Sequence, residues 1–176
     1  MRYAQYIIGT ALMWAVVACS SGPSQQFIQQ VSSELNDLKG VTEKLNALKG
    51  EVANLQDPFA GLKGELGKVW TDKVEKDKEL AEKVSQLTEQ AKQLTEQVTS
   101  LEGQLNSALS EAQSFVDGLA TQQKKEEELK TDWEAIKGKV SGVAGQVEQL
   151  SQQLAQLKQE VQAHSEAIKS KYAPKK

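Results

Sequence analysis

The sequence predicts an all-α protein built from long helices that form a coiled coil. Apolar residues recur every three or four positions over most of its 176 residues, which is the spacing of one helix face. Aromatic residues are scarce, at 5%, so a large globular core is not expected. From residue 80 onward the apolar pattern follows a seven-residue repeat without a phase shift, which is the signature of a coiled coil.

Residues 1–18 have the pattern of a secretory signal peptide. Arg2 supplies a short basic start, and a mostly apolar run follows over residues 3–17. This run falls short of the about 20 apolar residues that a membrane span needs. It ends at the small residue Ala18, which suits cleavage by a signal peptidase. We therefore expect residues 1–18 to be removed.

Cys19 is the only cysteine of the chain, so it has no partner for an intramolecular disulfide. Together with Val16, Val17 and Ala18 before it, it resembles the lipobox of bacterial lipoproteins. The resemblance implies that Cys19 becomes the first residue, carries a diacylglycerol thioether and is acylated at its new amino group. The alternative is an ordinary signal peptide or anchor that contains a cysteine.

The lipid implied by this resemblance would anchor the protein to a membrane. A single acyl chain binds only marginally, at about 0.8 kcal/mol for each buried methylene, whereas two or three chains on Cys19 would hold it firmly. Ser20 follows the cysteine. In envelopes with two membranes, the lipoprotein resemblance then implies sorting to the outer membrane, on its periplasmic face. In a cell with one membrane it implies the outer surface.

The lipidated cysteine would begin a polar tether over residues 19–27, in which Gly22 and Pro23 disfavour helix and Ser24 suits a helix N-cap. A first helix is predicted over 28–56 from apolar residues in steps of three and four. These residues are Ile28, Val31, Leu35, Leu38, Val41, Leu45, Leu48, Val52 and Leu55.

Residues 58–79 are predicted to be a glycine-rich helix or hinge. Pro58 lacks an amide donor and disfavours helix in the residue before it. Either the helix restarts there, with Asp57 as its N-cap, or one long helix is kinked. Three glycines between residues 61 and 67 make this the softest part of the pattern.

The heptad coiled coil is predicted over 80–172, where every a and d site is apolar except Gln122, Glu126 and His164. The apolar a sites are Val84, Ala91, Val98, Leu105, Ala112, Leu119, Trp133, Val140, Val147, Leu154, Val161 and Ile168. The apolar d sites are Leu80, Leu87, Leu94, Leu101, Ala108, Phe115, Leu129, Ile136, Val143, Leu150 and Leu157.

A partner surface must cover this stripe, because burial of one Leu or Val side chain contributes about 1.5 to 3 kcal/mol. We expect a homo-oligomer. Valine-rich a sites with leucine-rich d sites favour a parallel dimer, while the wider apolar face near Ala112 suits a trimer.

An antiparallel helical hairpin is the alternative architecture. The polar core sites Gln122 and Glu126 divide the heptads into two arms of equal length, 80–119 and 129–168. The heptad phase is nevertheless the same on both sides of these sites, which a turn has no reason to preserve. This favours a continuous helix with a polar layer that sets its register.

Residues 173–176 are predicted to form a basic tail, in which Pro174 should stop the helix. With the Cys19-Ser20-Ser21 start, the heptad rod and Lys171-Tyr172 near a terminal lysine, the chain resembles an elongated murein lipoprotein. That resemblance implies a covalent link between Lys176 and peptidoglycan. The alternative is a solvated basic helix end, which the helix dipole favours.

The charge and the residue pattern point away from several functions. Loss of Arg2 with the signal changes the formal net charge from −3 to −4, and a mildly acidic chain argues against nucleic-acid binding. A helical rod has no concave site for catalysis, a metal or a cofactor, and His164 is interpreted as a polar core layer. The narrow stripe disfavours an apolipoprotein-like lipid binder.

We therefore expect a structural envelope protein, not an enzyme: a lipid-anchored rod that spaces or tethers the outer membrane relative to peptidoglycan. The alternative is a lipoprotein adaptor that docks onto an envelope complex or is displayed on the cell surface.

Overall fold

A computed structural model describes residues 22–172, which fold into an all-α bundle of long helices. The helices are α1 (Gln25–Ala53), α2 (Ala60–Leu66), α3 (Lys78–Gly118) and α4 (Glu126–Tyr172). A π-helical turn over Trp70–Val74 precedes α3, and a 3-10 turn over Leu119–Thr121 follows it. The described range contains no β-strand, and the prediction of an all-α fold with packed long helices is confirmed.

The three long helices run up, down and up along the bundle. Ion pairs define their directions: α3 is antiparallel to α4, since Lys83 pairs with Glu160 and Lys139 pairs with Glu111. Helix α1 packs on both. It is antiparallel to α3, since Lys39 contacts Gln113 and Lys49 pairs with Glu102. It is parallel to α4, since Glu34 pairs with Lys137 and Glu51 pairs with Lys158.

Helix α1, α2 and the π-helical turn follow one another in the same direction and form the first of three columns of the bundle; α3 and α4 are the other two. The segment between α1 and α3 carries this first column to the far end of α4. Glu65 pairs with Lys169 near the end of α4. Five apolar side chains of the segment are buried: Phe59, Leu62, Leu66, Trp70 and Val74. The helix is interrupted over 54–59. Helix α2 then starts at Ala60, with Phe59 in the N-cap position. The Asp57 side chain accepts from the Phe59 amide at 3.3 Å and does not cap α2 as predicted.

The predicted heptad core faces the interior of the bundle. All apolar a and d side chains between residues 80 and 168 are buried, except Leu80 and Val84, which are partly buried. The polar core sites Gln122, Glu126 and His164 are also partly buried. The periodicity therefore identified the core positions, and in the structure other helices of the same chain cover them.

The preference for a continuous helix over 80–172 is wrong, and the hairpin alternative is the one adopted. Helix α3 ends at Gly118, the backbone is extended at Gln122, and α4 begins at Glu126. The connection over 119–125 is one heptad long, so the register on both sides is the same whether the chain continues or turns. Folding back buries both stripes without the entropy loss of joining separate chains.

Candidate functional site: the two ends of the bundle

Both predicted site residues, the lipidation site Cys19 and the cross-linking candidate Lys176, lie outside the described residues 22–172. The structure instead locates the points at which the chain enters and leaves the bundle. The entry end lies at Ser24, and the exit end lies at Tyr172.

The entry end is held by Ser24 and Glu126. The Ser24 hydroxyl caps α1 by accepting from the Phe27 amide at 3.2 Å, as the sequence predicted. The Ser24 amide donates to a carboxylate oxygen of Glu126 at 2.9 Å, and Lys130 lies 3.0 Å from the same carboxyl group. The hydrogen bonds from Ser24 and Lys130 lower the pKa of Glu126 to about 2. The start of α1 is thus tied to the start of α4.

An aromatic cluster lies just inside the entry end. The rings of Phe115 and Trp133 are stacked with their centroids 5.6 Å apart, and Phe27 is buried in the same cluster. The Trp133 indole donates to Glu34 at 2.6 Å, and Lys137 lies 3.0 Å from the same carboxylate. These contacts join α1 to α4 through a charged group.

The environment of Glu34 favours its ionised form. Partial burial raises the pKa of this carboxyl group, but hydrogen bonds from Gln30, Trp133 and Lys137 outweigh that effect. The result is a pKa of about 2, against an ordinary value of 4.5. Glu34 therefore stays charged, and it stays paired with Lys137, throughout the neutral range.

The exit end is held by Asp77, the N-cap of α3. Its carboxylate accepts from the Leu80 amide at 3.4 Å, from Lys171 at 2.6 Å and from the Tyr172 hydroxyl at 2.7 Å. The hydrogen bonds from Lys171 and then Tyr172 lower the pKa of Asp77 to about 2. The end of α4 is thereby fixed to the start of α3, directly before the basic tail.

The two ends lie on opposite sides of the bundle. Helix α4 has 47 residues and is roughly 70 Å long at 1.5 Å per residue. Since α1 runs parallel to α4, Ser24 lies beside the first turn of α4 and Tyr172 forms its last turn. Residues that precede and follow the described range are therefore attached at opposite ends.

A groove runs along the α3–α4 face that points away from α1, and we call it the glutamine groove. Its floor contains the apolar core residues Leu94, Leu101, Leu150 and Leu157. Its walls are lined by Gln90, Gln93, Gln97 and Gln104 on α3 and by Gln146, Gln149, Gln153 and Gln156 on α4. The groove continues past Ser107 to the ion pair of Glu111 with Lys139.

The apolar pattern of the sequence does not reveal the residues that hold the ends together. Glu34, Asp77 and Glu126 each bind a group about 95 or more positions away along the chain, and periodicity carries no information on such contacts.

His164 lies in a shallow depression beside Leu80 and Lys83. Within residues 22–172, no three His, Cys, Asp or Glu side chains are grouped to hold a metal, and no helix is long and apolar enough to cross a membrane.

Comparisons with known proteins reveal no relative: the chain matches no protein-family model, no curated protein and no solved structure.

Proposed function

We propose that this protein is a lipid-anchored structural protein of the bacterial envelope, which holds the outer membrane at a set distance from peptidoglycan. In this proposal Cys19 carries the acyl chains and Lys176 is joined to the cell wall. The bundle between them is the spacer.

The observation that carries the proposal is the placement of the entry and exit ends on opposite sides of the bundle. A simple α3–α4 hairpin would return both of its ends to the same side. The additional column over residues 25–77 adds a third pass, so that Ser24 and Tyr172 are separated by the length of α4, roughly 70 Å. An anchor before Ser24 and a wall attachment after Tyr172 would then pull on opposite ends.

The contacts at each end are consistent with this role. Ser24 is joined to Glu126 at the entry end, and Asp77 holds Lys171 and Tyr172 at the exit end. Both sets of contacts link the terminal turn of one column to a neighbouring column. Force applied to either end is therefore shared between two helices instead of unwinding one.

The attachment to peptidoglycan is tested by boiling cells in detergent and sedimenting the cell wall. We expect part of the full chain to remain covalently bound to the sediment and to be lost with Lys176→Arg, which keeps the charge. Lys175→Arg is the matched control and should be retained. Complete release of the unmodified chain would refute the cross-link and leave an adaptor role.

The lipid anchor is tested separately by labelling cells with a fatty acid that carries an alkyne. The full chain should incorporate the label, and Cys19→Ser should abolish it. Mass spectrometry of the mature N-terminus should find residue 19 with its acyl chains. A mature chain that begins elsewhere would exclude lipidation at this cysteine, whatever the result at Lys176.

A further inference from the structure

The glutamine groove differs from the other seams of the bundle in its charge. The seams between α1 and its neighbours are closed by ion pairs such as Lys49 with Glu102 and Lys158 with Glu51. On the open side of the α3–α4 seam, ion pairs bound only the ends of the groove: Lys83 with Glu160, and Lys139 with Glu111. Between these pairs the groove walls carry glutamine and serine.

The groove side chains have little to bind within the described part of their own chain. Gln104 donates to Ser100 at 3.4 Å, and no other hydrogen bond joins the side chains of the groove walls to one another. A side-chain amide carries both donors and an acceptor, so one glutamine is complementary to another. The walls therefore present solvent-exposed amide groups along several helical turns.

We propose that the glutamine groove is the surface through which two copies of this chain pair. A two-fold contact brings the same surface patch of both copies together, so charges of one sign near the axis would repel each other. Uncharged, self-complementary glutamines avoid that repulsion. Gln97 lies midway along α3 between Lys83 and Glu111, which places it near the centre of the contact.

The ends of the groove are also complementary between copies. When two copies pair in parallel, α3 of one lies over α4 of the other. Lys83 then meets the second copy's Glu160, and Glu111 meets its Lys139, so each contact joins opposite charges. Parallel pairing also keeps both anchors at one membrane; this orientation alone rests on the proposed function.

The size of the groove face fits a modest dimer interface. From Gln90 to Glu111 the α3 helix extends roughly 30 Å, and two adjacent helices are about 20 Å wide, so each copy offers roughly 600 Å². About 1,200 Å² in total is the lower limit of stable protein interfaces. The pairing is thus of the kind that a high local concentration promotes.

Cysteine cross-linking in cells that express the full chain tests the proposal. The two Gln97 positions of a parallel pair lie diagonally across the contact, so we expect Gln97→Cys to yield a dimer on denaturing gels when a flexible bismaleimide cross-linker is added. Gln159→Cys, on the outer face of α4, is the matched control and should remain monomeric, as should the unmodified chain with Cys19 alone. The proposal is overturned if Gln159→Cys yields as much dimer as Gln97→Cys. It is also overturned if neither Gln97→Cys nor Gln153→Cys yields a dimer.

A second variant separates specific pairing from chance collision. Ser100→Cys, also in the groove, should give a dimer with the same bismaleimide. Gln97→Glu combined with Gln153→Glu places like charges at the centre of the contact and should abolish that dimer. Gln159→Glu should leave that dimer unchanged, and circular dichroism should show the same helix content in both. Persistence of the dimer in the doubly charged variant would overturn the proposal.

The orientation is read from cells that produce two chains of different size, one with Gln97→Cys and the other with Gln153→Cys. A mixed disulfide between them supports parallel pairing. Cross-linking of Gln97→Cys only to itself would overturn parallel pairing, and it would contradict anchoring of both copies in one membrane without removing the groove contact. Loss of the link between Lys176 and peptidoglycan changes neither the mixed disulfide nor the Gln97→Cys dimer. The two proposals therefore fail independently.

Discussion

At the scale of single residues, Gly67 joins α2 to the π-helical turn in a backbone conformation that side chains disfavour. Its φ of +50° with ψ of −122° is the only positive φ among the glycines of the described residues. Glycine adopts this region because it has no Cβ atom. Gly64, three residues earlier, lies inside α2 with no atom within 4 Å of the place where a Cβ would be.

These two glycines should respond in opposite directions to the same substitution. Gly67→Ala forces a strained conformation and should lower the free energy of unfolding by about 1 to 3 kcal/mol. Gly64→Ala improves helix propensity in open space and should raise it by about 0.5 to 1 kcal/mol. Urea unfolding of the two variants, followed by circular dichroism, measures both. A stabilising Gly67→Ala would show that the positive-φ conformation at this position is absent.

Glu34 illustrates a residue whose role depends on its distant partners. In the sequence it is one of many acidic residues on a helix face. In the structure the Trp133 indole and the Lys137 ammonium group converge on it from α4, and its pKa falls to about 2. The partial burial of this charged side chain is tolerated because both partners satisfy it.

At the scale of helices, the α3–α4 hairpin brings together residues that a continuous helix would separate widely. Lys83 and Glu160 are 3.5 Å apart at their charged atoms. In one unbroken helix the same residues would be roughly 115 Å apart at 1.5 Å per residue. The connection at 119–125 therefore decides the shape of half of the chain.

Spin labels on cysteines introduced at positions 83 and 160 test this arrangement. Double electron–electron resonance spectroscopy should find the two labels less than about 20 Å apart, since facing helices pack 8 to 10 Å apart. Labels at 83 and 117 lie within α3 and should give roughly 50 Å in either architecture, which makes them the control. Dilution with unlabelled chain removes signals between copies. A distance beyond the measurable range for 83 and 160 would exclude the hairpin.

The sequence predicted the helices and their buried faces well because local spacing encodes both. Val98, Leu105 and Leu154 are examples of predicted core sites that are buried. The direction of α4 was not predictable, because a one-heptad connection leaves the same register for a turn and for a continuous helix. The groove was not predicted either, since it exists only where α1 leaves one face of the hairpin open.

At the scale of the whole molecule, three carboxylates connect the columns and share one response to acid. Glu34, Asp77 and Glu126 each have a pKa of about 2 in the folded chain, below the ordinary values of 4.5 for Glu and 3.8 for Asp. The unfolded chain therefore binds more protons than the folded one between these values. The stability from these contacts is present above pH 4.5 and is lost as the pH falls towards 2.

The free energy of unfolding should accordingly fall when the pH is lowered from 5 to 2.5. The Glu34 side chain is only 26% exposed, and its share should be on the order of 2 kcal/mol. Glu34→Gln should remove that share of the pH dependence, whereas Glu43→Gln on the exposed face of α1 should not. Urea titrations at several pH values provide the measurement. Identical pH profiles for the two variants would show that Glu34 is not specially stabilised.

The sequence by itself determined that the chain is helical and which side chains are buried, because helix periodicity is a local property. Only the tertiary structure decided what covers those side chains. A heptad stripe can be buried against another copy, against the other arm or against α1 at similar gain in hydrophobic free energy. The interruptions at 54–59 and 119–125 allow the chain to cover itself, and the resulting three passes place Ser24 and Tyr172 at opposite ends.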